Sequence, residues 1–192
     1  LASNTPPSWL VFSDGFRRHK ITIWSKRNLD ILFSLLGVVL SAPLQVIIAV
    51  LIKTTSPGPV YFRQTRVGQR ERNFQVLKFR TMGQDAEAQS GAVWAQENDP
   101  RITPVGSVLR KLRLDELPQF WNVLKGEMSF VGPRPERPEF VGKLKTKIPY
   151  YGERHTVKPG ITGWAQVNYS YGASEEDSLK KLEYDLFYIK NL

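Results

Sequence analysis

An uncharged apolar run at residues 31–52 constrains this chain more than any other feature of its sequence. A helix of these 22 residues would be about 33 Å long, close to the thickness of a bilayer's hydrocarbon core. Basic residues flank the run on both sides, so the positive charge does not assign one end to the cytoplasm. The run predicts a membrane helix and leaves open whether it spans the bilayer or re-enters one face.

Pro43 lies just past the middle of this run, two residues after Ser41. Proline removes a helix hydrogen bond and favours a kink, and a neighbouring hydroxyl can satisfy a carbonyl there. We therefore predict a membrane helix break at Ser41 and Pro43, where the chain could turn back.

The predicted organisation has three parts. Residues 1–25 are a linker from an upstream region, residues 26–55 form the membrane helix-break-helix, and residues 56–192 form a catalytic domain. Further chain is expected at both ends, and a homo-oligomer formed through the upstream region is possible. The fold class is α+β, membrane-associated, with a mainly helical cytosolic domain that contains a small β-hairpin.

The composition narrows the class of partner. The chain has 27 Lys and Arg against 18 Asp and Glu, a net charge of +9, which favours nucleic acid, an anionic membrane surface or a phosphorylated substrate. The absence of cysteine excludes disulfides and thiolate metal sites. No recognisable nucleic-acid motif occurs, which disfavours the first of these partners.

Two short segments after the membrane run predict the hairpin. Residues 60–67 and 74–81 have strand-like composition and are joined by a turn containing Gly68. Lys78 and Arg80 alternate with Phe79, so the two cations could share a strand face that points at a ligand phosphate.

The segment from Thr103 to Gly126 predicts two helices with an acidic pair between them. Thr103 followed by proline is a helix start, and Gly126 is a helix end. Asp115 and Glu116 lie shortly before Pro118, which signals the second helix, and on spacing alone Asp115 is most simply its cap. The functional alternative is that Asp115 acts as a nucleophile at phosphorus while Glu116 helps to bind Mg²⁺.

Five segments in order carry a family resemblance: KRNLDILFSLLGVVLSAP, PGPVYFRQTRVG, FQVLKFRTM, LRLDELPQFWNVLKGEMSFVGPRPE and VKPGITGWAQVNY. Together they resemble the bacterial sugar transferase family, the monotopic polyprenyl-phosphate phosphoglycosyl transferases. The resemblance implies transfer of a sugar-1-phosphate from a UDP-sugar, expected to be UDP-glucose or UDP-galactose, to undecaprenyl phosphate, with release of UMP and a requirement for Mg²⁺. It also implies a re-entrant helix, a catalytic domain on the cytoplasmic face of the bacterial inner membrane, and a place in exopolysaccharide biosynthesis.

The resemblance also assigns roles to residues. Asp115 matches the nucleophile that forms a covalent phosphosugar intermediate, and Glu116 matches its partner, with both acids near the metal. Four cations match phosphate-binding positions: Arg110, Arg134, Lys78 and Arg80. Three residues of the last segment are candidates for nucleotide contact: Lys158, Gln166 and Asn168.

The C-terminal segment predicts an amphipathic helix with a Ser174 cap. Asp185 is expected at its surface, with contact to the substrate as the alternative. No role is predicted for His155. The competing hypothesis for the whole chain is a membrane-anchored basic module that binds anionic lipid or nucleic acid without catalysis. Replacement of Asp115 would abolish turnover in the enzyme and leave simple polyanion binding unchanged.

Overall fold

The computed structural model describes residues 20–84, 86, 99–169, 172 and 174–192. It consists of one long helix, α1 (Lys20–Thr55), followed by a smaller body of short helices and two-stranded sheets. This mixed, helix-dominated architecture with small sheets agrees with the prediction. Most of the predicted linker, residues 1–19, lies outside the described residues.

The body begins with an antiparallel hairpin, β1 (Tyr61–Val67) and β2 (Asn73–Phe79). A parallel pair, β3 (Ser129–Val131) and β4 (Gly160–Thr162), forms the second sheet. The helices of the body are α2 (Pro104–Lys111), α3 (Gln119–Lys125), α4 (Pro138–Lys147), α5 (Trp164–Asn168) and α6 (Glu175–Lys190). Short 3₁₀ turns lie at Gln69–Glu71, Leu114–Glu116 and Tyr151–Thr156.

Helix α1 departs from the prediction at two points. It begins at Lys20, six residues before the predicted boundary, and it is helical throughout, with Pro43 inside it, so the predicted helix-break-helix is wrong. Two side-chain hydrogen bonds lie beside the proline: Ser41 Oγ donates to the Gly37 carbonyl at 2.5 Å, and Gln45 Nε2 donates to Ser41 Oγ at 2.8 Å. The amide that Pro43 lacks would have bonded the Val39 carbonyl, four residues earlier. One proline removes one backbone hydrogen bond, which a helix of this length tolerates.

The N-terminal half of α1 is fixed to the body by polar contacts. The Arg27 guanidinium donates to the carbonyls of Val123 and Leu124 at 2.6 and 2.8 Å, at the end of α3. The Val123 carbonyl also accepts from the Gly126 amide at 2.9 Å, so the guanidinium adds donors at a helix end, where backbone amide donors are scarce. Asp30 accepts hydrogen bonds from Ser129 Oγ at 3.0 Å and from the Phe130 amide at 3.1 Å.

The C-terminal half of α1 joins the body through apolar contacts. Ile48 and Ile52 are buried in one cluster with Phe79 and Leu109. Between its two ends, α1 exposes most of its apolar surface, and among the described residues it is the one helix long and apolar enough to cross a bilayer. The same body therefore contacts α1 near both ends.

Several local predictions are confirmed. Thr103 Oγ1 accepts a hydrogen bond from the Gly106 amide at 3.0 Å, Gly126 ends α3 with φ +84°, and Ser174 forms a capping box with Asp177 at the start of α6. The hairpin strands lie within two residues of their predicted bounds. The elements that carry the site are thus set by local sequence signals.

His155 provides a pH-dependent contribution to stability. It is buried beside Arg154 and Glu71, its Nδ1 has no hydrogen-bond partner among the described residues, and burial lowers its pKa to about 4. Because the unfolded residue titrates near 6.5, stability is fully present above that pH and falls as the pH drops toward 4, by up to about 3 kcal/mol. We expect His155→Phe to flatten this part of the pH dependence of Tm, measured against the unmodified protein in the same detergent. An identical slope in both proteins would contradict the assignment.

Candidate active site

The acidic pair lies in a 3₁₀ turn between two helices. Arg113 adopts a left-handed conformation with φ +59° after α2, and the turn Leu114–Glu116 then buries both Asp115 and Glu116, each 8% exposed. Helix α3 begins at Gln119 after Pro118 and has no side-chain cap. The simpler interpretation of Asp115 as a helix cap is therefore wrong, because the turn holds the acid outside the capping position.

Glu116 is held by cations from distant parts of the chain. Its Oε1 accepts from Lys78 Nζ and from Arg134 Nη2, both at 2.9 Å, and its Oε2 lies 4.0 Å from Arg113. Burial by itself raises the pKa of Glu116, but the charges of Arg134 and Lys78 and their hydrogen bonds outweigh it and lower that pKa to about 2. Glu116 is thus a permanent anion that organises two of the predicted phosphate-binding cations.

Asp115 differs from its neighbour in having no salt bridge with a described residue. Burial raises the pKa of its carboxyl, and the charges of Lys78 and Arg110 partly oppose that rise. A carboxylate that is surrounded by cations but bonded to none of them keeps its oxygen atoms available for another atom. Of the two acids, Asp115 is the one without a salt bridge to a described cation.

Two arginines flank the acidic pair in the sequence: Arg110 precedes it and Arg134 follows it. Arg110 Nε donates to Thr81 Oγ1 at 2.8 Å, and its terminal amino groups have no hydrogen-bond partner among the described residues. Arg134 lies between Pro133 and Pro135, whose rings restrict the local backbone. Guanidinium groups in such positions can bind phosphate oxygens with two parallel hydrogen bonds.

Arg80 does not join this network. Strand β2 ends at Phe79, so Lys78 and Arg80 do not share the predicted strand face. The Arg80 guanidinium is buried and donates to the Ser56 carbonyl at 2.9 Å, to Ser56 Oγ at 2.7 Å and to the Pro57 carbonyl. Its observed contacts fix the loop after α1 rather than the acidic pair.

The three nucleotide candidates also lie apart from the acids. Lys158 lies at Gly126 and Arg27, near the start of α1. Asn168 Nδ2 donates to the Trp164 carbonyl at 2.9 Å, and Gln166 Oε1 is buried without a hydrogen-bond partner among the described residues. None of these contacts connects to the acidic pair, and their assignment to the nucleotide stays a prediction.

Sequence reasoning missed a buried ion pair that supports Arg134. Asp185, expected at the surface, is 1% exposed and lies 2.8 Å from Arg154 Nη2, which also donates to the Arg134 carbonyl at 2.9 Å. Burial raises the pKa of Asp185 to about 6, although Arg154 opposes the rise. The sequence did indicate that Asp185 is buried, because it follows Leu182 by three residues and so lies on the apolar stripe of α6.

Two amides of α3 were also missed. Asn122 accepts from the Leu77 amide at 3.0 Å and donates to the Gln75 carbonyl at 2.7 Å, so it fixes α3 to the strand that carries Lys78. Gln119 is buried in a crevice with Lys78 and Arg134, and its Nε2 has no hydrogen-bond partner among the described residues. This amide can therefore donate to a group bound in the crevice.

Comparison with known proteins is consistent with this geometry. The family model described as bacterial sugar transferase matches residues 21–192, nearly the whole chain. The chain belongs to the bacterial sugar transferase family. The match covers nearly all of α1 as well as the body.

Three relatives illustrate the range of similarity. The chain is 54% identical over 166 residues to UDP-N-acetylgalactosamine-undecaprenyl-phosphate N-acetylgalactosaminephosphotransferase of Aeromonas hydrophila, covering 86% of this chain and 39% of that protein. It is 47% identical over 167 residues to UDP-glucose:undecaprenyl-phosphate glucose-1-phosphate transferase of Escherichia coli K12, covering 86% and 36%. It is 42% identical over 171 residues to exopolysaccharide production protein PSS of Rhizobium leguminosarum bv. phaseoli, covering 86% of each. The chain thus spans well under half the length of the first two.

Proposed function

We propose that this chain transfers a sugar-1-phosphate from a UDP-sugar to undecaprenyl phosphate, releasing UMP, as a first membrane step of exopolysaccharide or glycoconjugate assembly. The main observation in support of the proposal is that two adjacent acids have different environments. Glu116 is paired with Lys78 and Arg134, while Asp115 is buried among cations without a salt bridge to a described residue. The names of two similar proteins, an N-acetylgalactosaminephosphotransferase and a glucose-1-phosphate transferase that act on undecaprenyl phosphate, supply the substrate classes.

The proposed chemistry has two displacement steps at phosphorus. An Asp115 carboxylate oxygen attacks the phosphorus that carries the sugar, forming an aspartyl phosphosugar while the bond to the bridging oxygen breaks and UMP leaves. An oxygen of undecaprenyl phosphate then attacks the same phosphorus, forming the lipid-diphosphate-sugar and restoring the Asp115 carboxylate. Covalent catalysis of this kind divides one difficult transfer into two steps.

The surrounding cations would make attack of an anion on an anion feasible. Arg110 and Lys78 contribute favourable charge at Asp115, and Arg134 is held close to the pair through Glu116. Fixed positive charge in a partly buried site stabilises the extra negative charge of the transition state more strongly than water does. Glu116 would keep Lys78 and Arg134 in position between turnovers.

Mg²⁺ is part of the proposal and is compatible with one of the two acids. The described residues contain no cluster of three or more metal-ligating side chains, but Mg²⁺ is often bound by one or two carboxylates together with substrate phosphates. Asp115 fits this role, whereas Glu116 Oε1 already binds two cations. Bound Mg²⁺ would neutralise charge on the diphosphate.

We further propose that α1 lies within one leaflet as a continuous helix, with both ends on the same, cytoplasmic face of the inner membrane. The polar contacts of Arg27 and Asp30 and the burial of Ile52 attach opposite ends of α1 to one body. Asp30 and Ile52 are 22 residues apart, or about 33 Å along a straight helix. If α1 spanned the bilayer, one of these attachments would draw the polar body through the hydrocarbon core.

The absence of cysteine from the chain allows a direct test of this topology. Single cysteines at Lys20 and Thr55 are expected to react with a membrane-impermeant maleimide from the same side of sealed inverted vesicles. Labelling from opposite sides would establish a spanning helix. A cysteine at Leu40 provides the control for a position within the apolar run.

The function is tested by intact-protein mass spectrometry of the chain with Mg²⁺ and a panel of UDP-sugars, without lipid acceptor. We expect a mass increase of one sugar phosphate with the correct donor, removed by undecaprenyl phosphate. UDP-glucose, UDP-galactose and UDP-N-acetylgalactosamine form the first panel, and the adduct identifies the sugar. UMP release that requires acceptor, without an adduct, would replace the covalent mechanism by direct transfer. A basic module that only binds anionic lipid or nucleic acid would give neither product with any donor.

A further inference from the structure

A small crevice lies beside the cations that bind Glu116. Its volume is about 10 Å³, enough for one water molecule or for one oxygen atom of a larger ligand. Gln119 is 2% exposed, whereas the side chains of Lys78 and Arg134 are 21% and 38% exposed and border the solvent. The crevice is therefore an oxygen-sized recess that a ligand can enter from the side of the two cations. Its lining consists of Arg66, Val76, Lys78, Gln119, Arg134 and Pro135.

Gln119 lies one turn after the acidic pair. Backbone amides on both sides of Pro118 donate to carbonyls three residues earlier, and a chain wound in this way brings side chains three residues apart to the same side. Glu116 and Gln119 have this spacing. Both also lie beside Lys78 and Arg134, so the crevice belongs to the network that surrounds the acids.

The side-chain amide of Gln119 brings a buried donor to this crevice. Its Nε2 has no hydrogen-bond partner among the described residues. A buried donor without a partner costs free energy, and native proteins seldom keep one unless a water molecule or a ligand completes it. The amide therefore indicates a missing acceptor.

The groups around the recess favour an anionic acceptor. Lys78, Arg134 and Gln119 Nε2 all donate, and the Pro135 carbonyl already accepts from Arg66 Nη1 at 3.0 Å. The two positive charges disfavour a metal ion, and a water molecule would find few acceptors for its own two hydrogens. A non-bridging phosphate oxygen accepts only, is negatively charged and has the size of the recess.

We propose that Gln119 Nε2, together with Lys78 and Arg134, holds one non-bridging oxygen of a substrate phosphate. This inference rests on the proposed function, in which both the UDP-sugar and undecaprenyl phosphate bring a phosphate to the acids. Gln119 is then a binding residue that fixes the orientation of the phosphate relative to Asp115. Because its hydrogen bond forms only with the ligand, the amide contributes to binding and adds nothing to the stability of the free protein.

The matched test compares Gln119→Met with Gln75→Met. Methionine removes the amide at nearly unchanged length, and Gln75 is an exposed residue of β2 that points to the opposite face from Val76 and does not line the crevice. The probes are UMP and a water-soluble short-chain prenyl phosphate, each titrated calorimetrically onto the detergent-solubilised chain. We expect Gln119→Met to bind at least one probe roughly tenfold more weakly, because a hydrogen bond to a charged group is lost. Gln75→Met should bind both as the unmodified chain does, and Gln119→Met should have an unchanged or higher Tm.

A second variant, Gln119→Glu, covers the case in which methionine disturbs the packing. It keeps the shape of the side chain but replaces the donor by a carboxylate that faces two cations, which stabilise it in the folded protein. The same carboxylate repels phosphate, so we expect a larger loss of probe binding, about a hundredfold or more.

The two half-reactions identify the source of the phosphate. Formation of the phosphosugar adduct involves only the UDP-sugar, whereas its removal involves undecaprenyl phosphate. Slower adduct formation at low donor concentration, with unchanged removal, would assign the oxygen to the donor diphosphate. Slower removal with unchanged formation would assign it to the acceptor phosphate.

The titrations decide the proposal without turnover. Unchanged affinity of both Gln119 variants for both probes would overturn it, as would failure of the unmodified chain to bind either probe. A lower Tm of Gln119→Met together with unchanged affinities would show that the amide holds only a structural water. If the unmodified chain binds a probe but gives neither adduct nor UMP from any UDP-sugar, the proposed function fails, and the comparison of the variants still decides whether Gln119 binds phosphate.

Discussion

Asp115→Asn is expected to abolish sugar-phosphate transfer and formation of the covalent adduct without unfolding the protein. The amide has nearly the shape of the carboxylate but is a poor nucleophile, so kcat should fall by about 10³-fold or more. Asp115 has no salt bridge with a described residue, so the substitution breaks no ion pair of the described residues. UMP release and intact mass are the measurements, with Tm as the check on folding.

Glu116→Gln provides the contrasting control for this prediction. Its amide oxygen can still accept a hydrogen bond, but Lys78 and Arg134 lose the charge that holds them. We expect this variant to form the adduct slowly and to have a raised KM for the donor, whereas Asp115→Asn forms none. A phosphosugar adduct on Asp115→Asn would show that another residue is the nucleophile.

Much of the fold follows from local signals in the sequence. The apolar run, the Thr103-Pro104 start of α2, Gly126 after α3 and the Ser174 capping box act within a few residues of themselves, so they could be read directly. The break expected at Pro43 is absent because a proline disturbs only its own turn of the helix, and the turns on either side stay helical.

The candidate site is harder to predict from local sequence signals because it is formed by contacts between residues that are far apart in the sequence. Lys78 and Arg134 meet Glu116 across 38 and 18 residues, and no periodicity in the chain predicts those contacts. The family resemblance named both cations as phosphate-binding residues; the structure places them at Glu116, and phosphate binding by them stays a prediction. It also named Arg80, whose side chain the end of β2 directs to Ser56 instead.

Asp185 shows how a charged residue can be misread for a physical reason. A single acid on an amphipathic helix is usually solvated, so surface exposure was the natural expectation. Its position on the apolar stripe of α6 indicated burial instead. A buried aspartate requires a partner, however, and its partner Arg154 lies 31 residues earlier, in a 3₁₀ turn. The pairing becomes visible only when the turn and the helix pack together.

Asp185→Asn is therefore expected to destabilise the protein strongly and to weaken catalysis from a distance. The change leaves the Arg154 guanidinium buried without its counter-ion, which costs about 3–5 kcal/mol in comparable pairs. In a domain of this size, a loss of that magnitude lowers Tm by roughly 10 °C. Since Arg154 also donates to the Arg134 carbonyl, we expect a raised KM for the UDP-sugar under conditions in which the variant is folded.

The double variant Arg154→Met, Asp185→Leu separates stability from positioning. Replacing a buried ion pair by apolar residues of similar volume is often neutral or stabilising, so Tm should return to within a few degrees of the unmodified value. The hydrogen bond from Arg154 to the Arg134 carbonyl is lost in this variant, so the raised KM should persist. Recovery of both Tm and KM would show that the pair only stabilises the fold. Recovery of Tm alone would establish that the Arg154 and Asp185 pair positions Arg134 for the substrate phosphate.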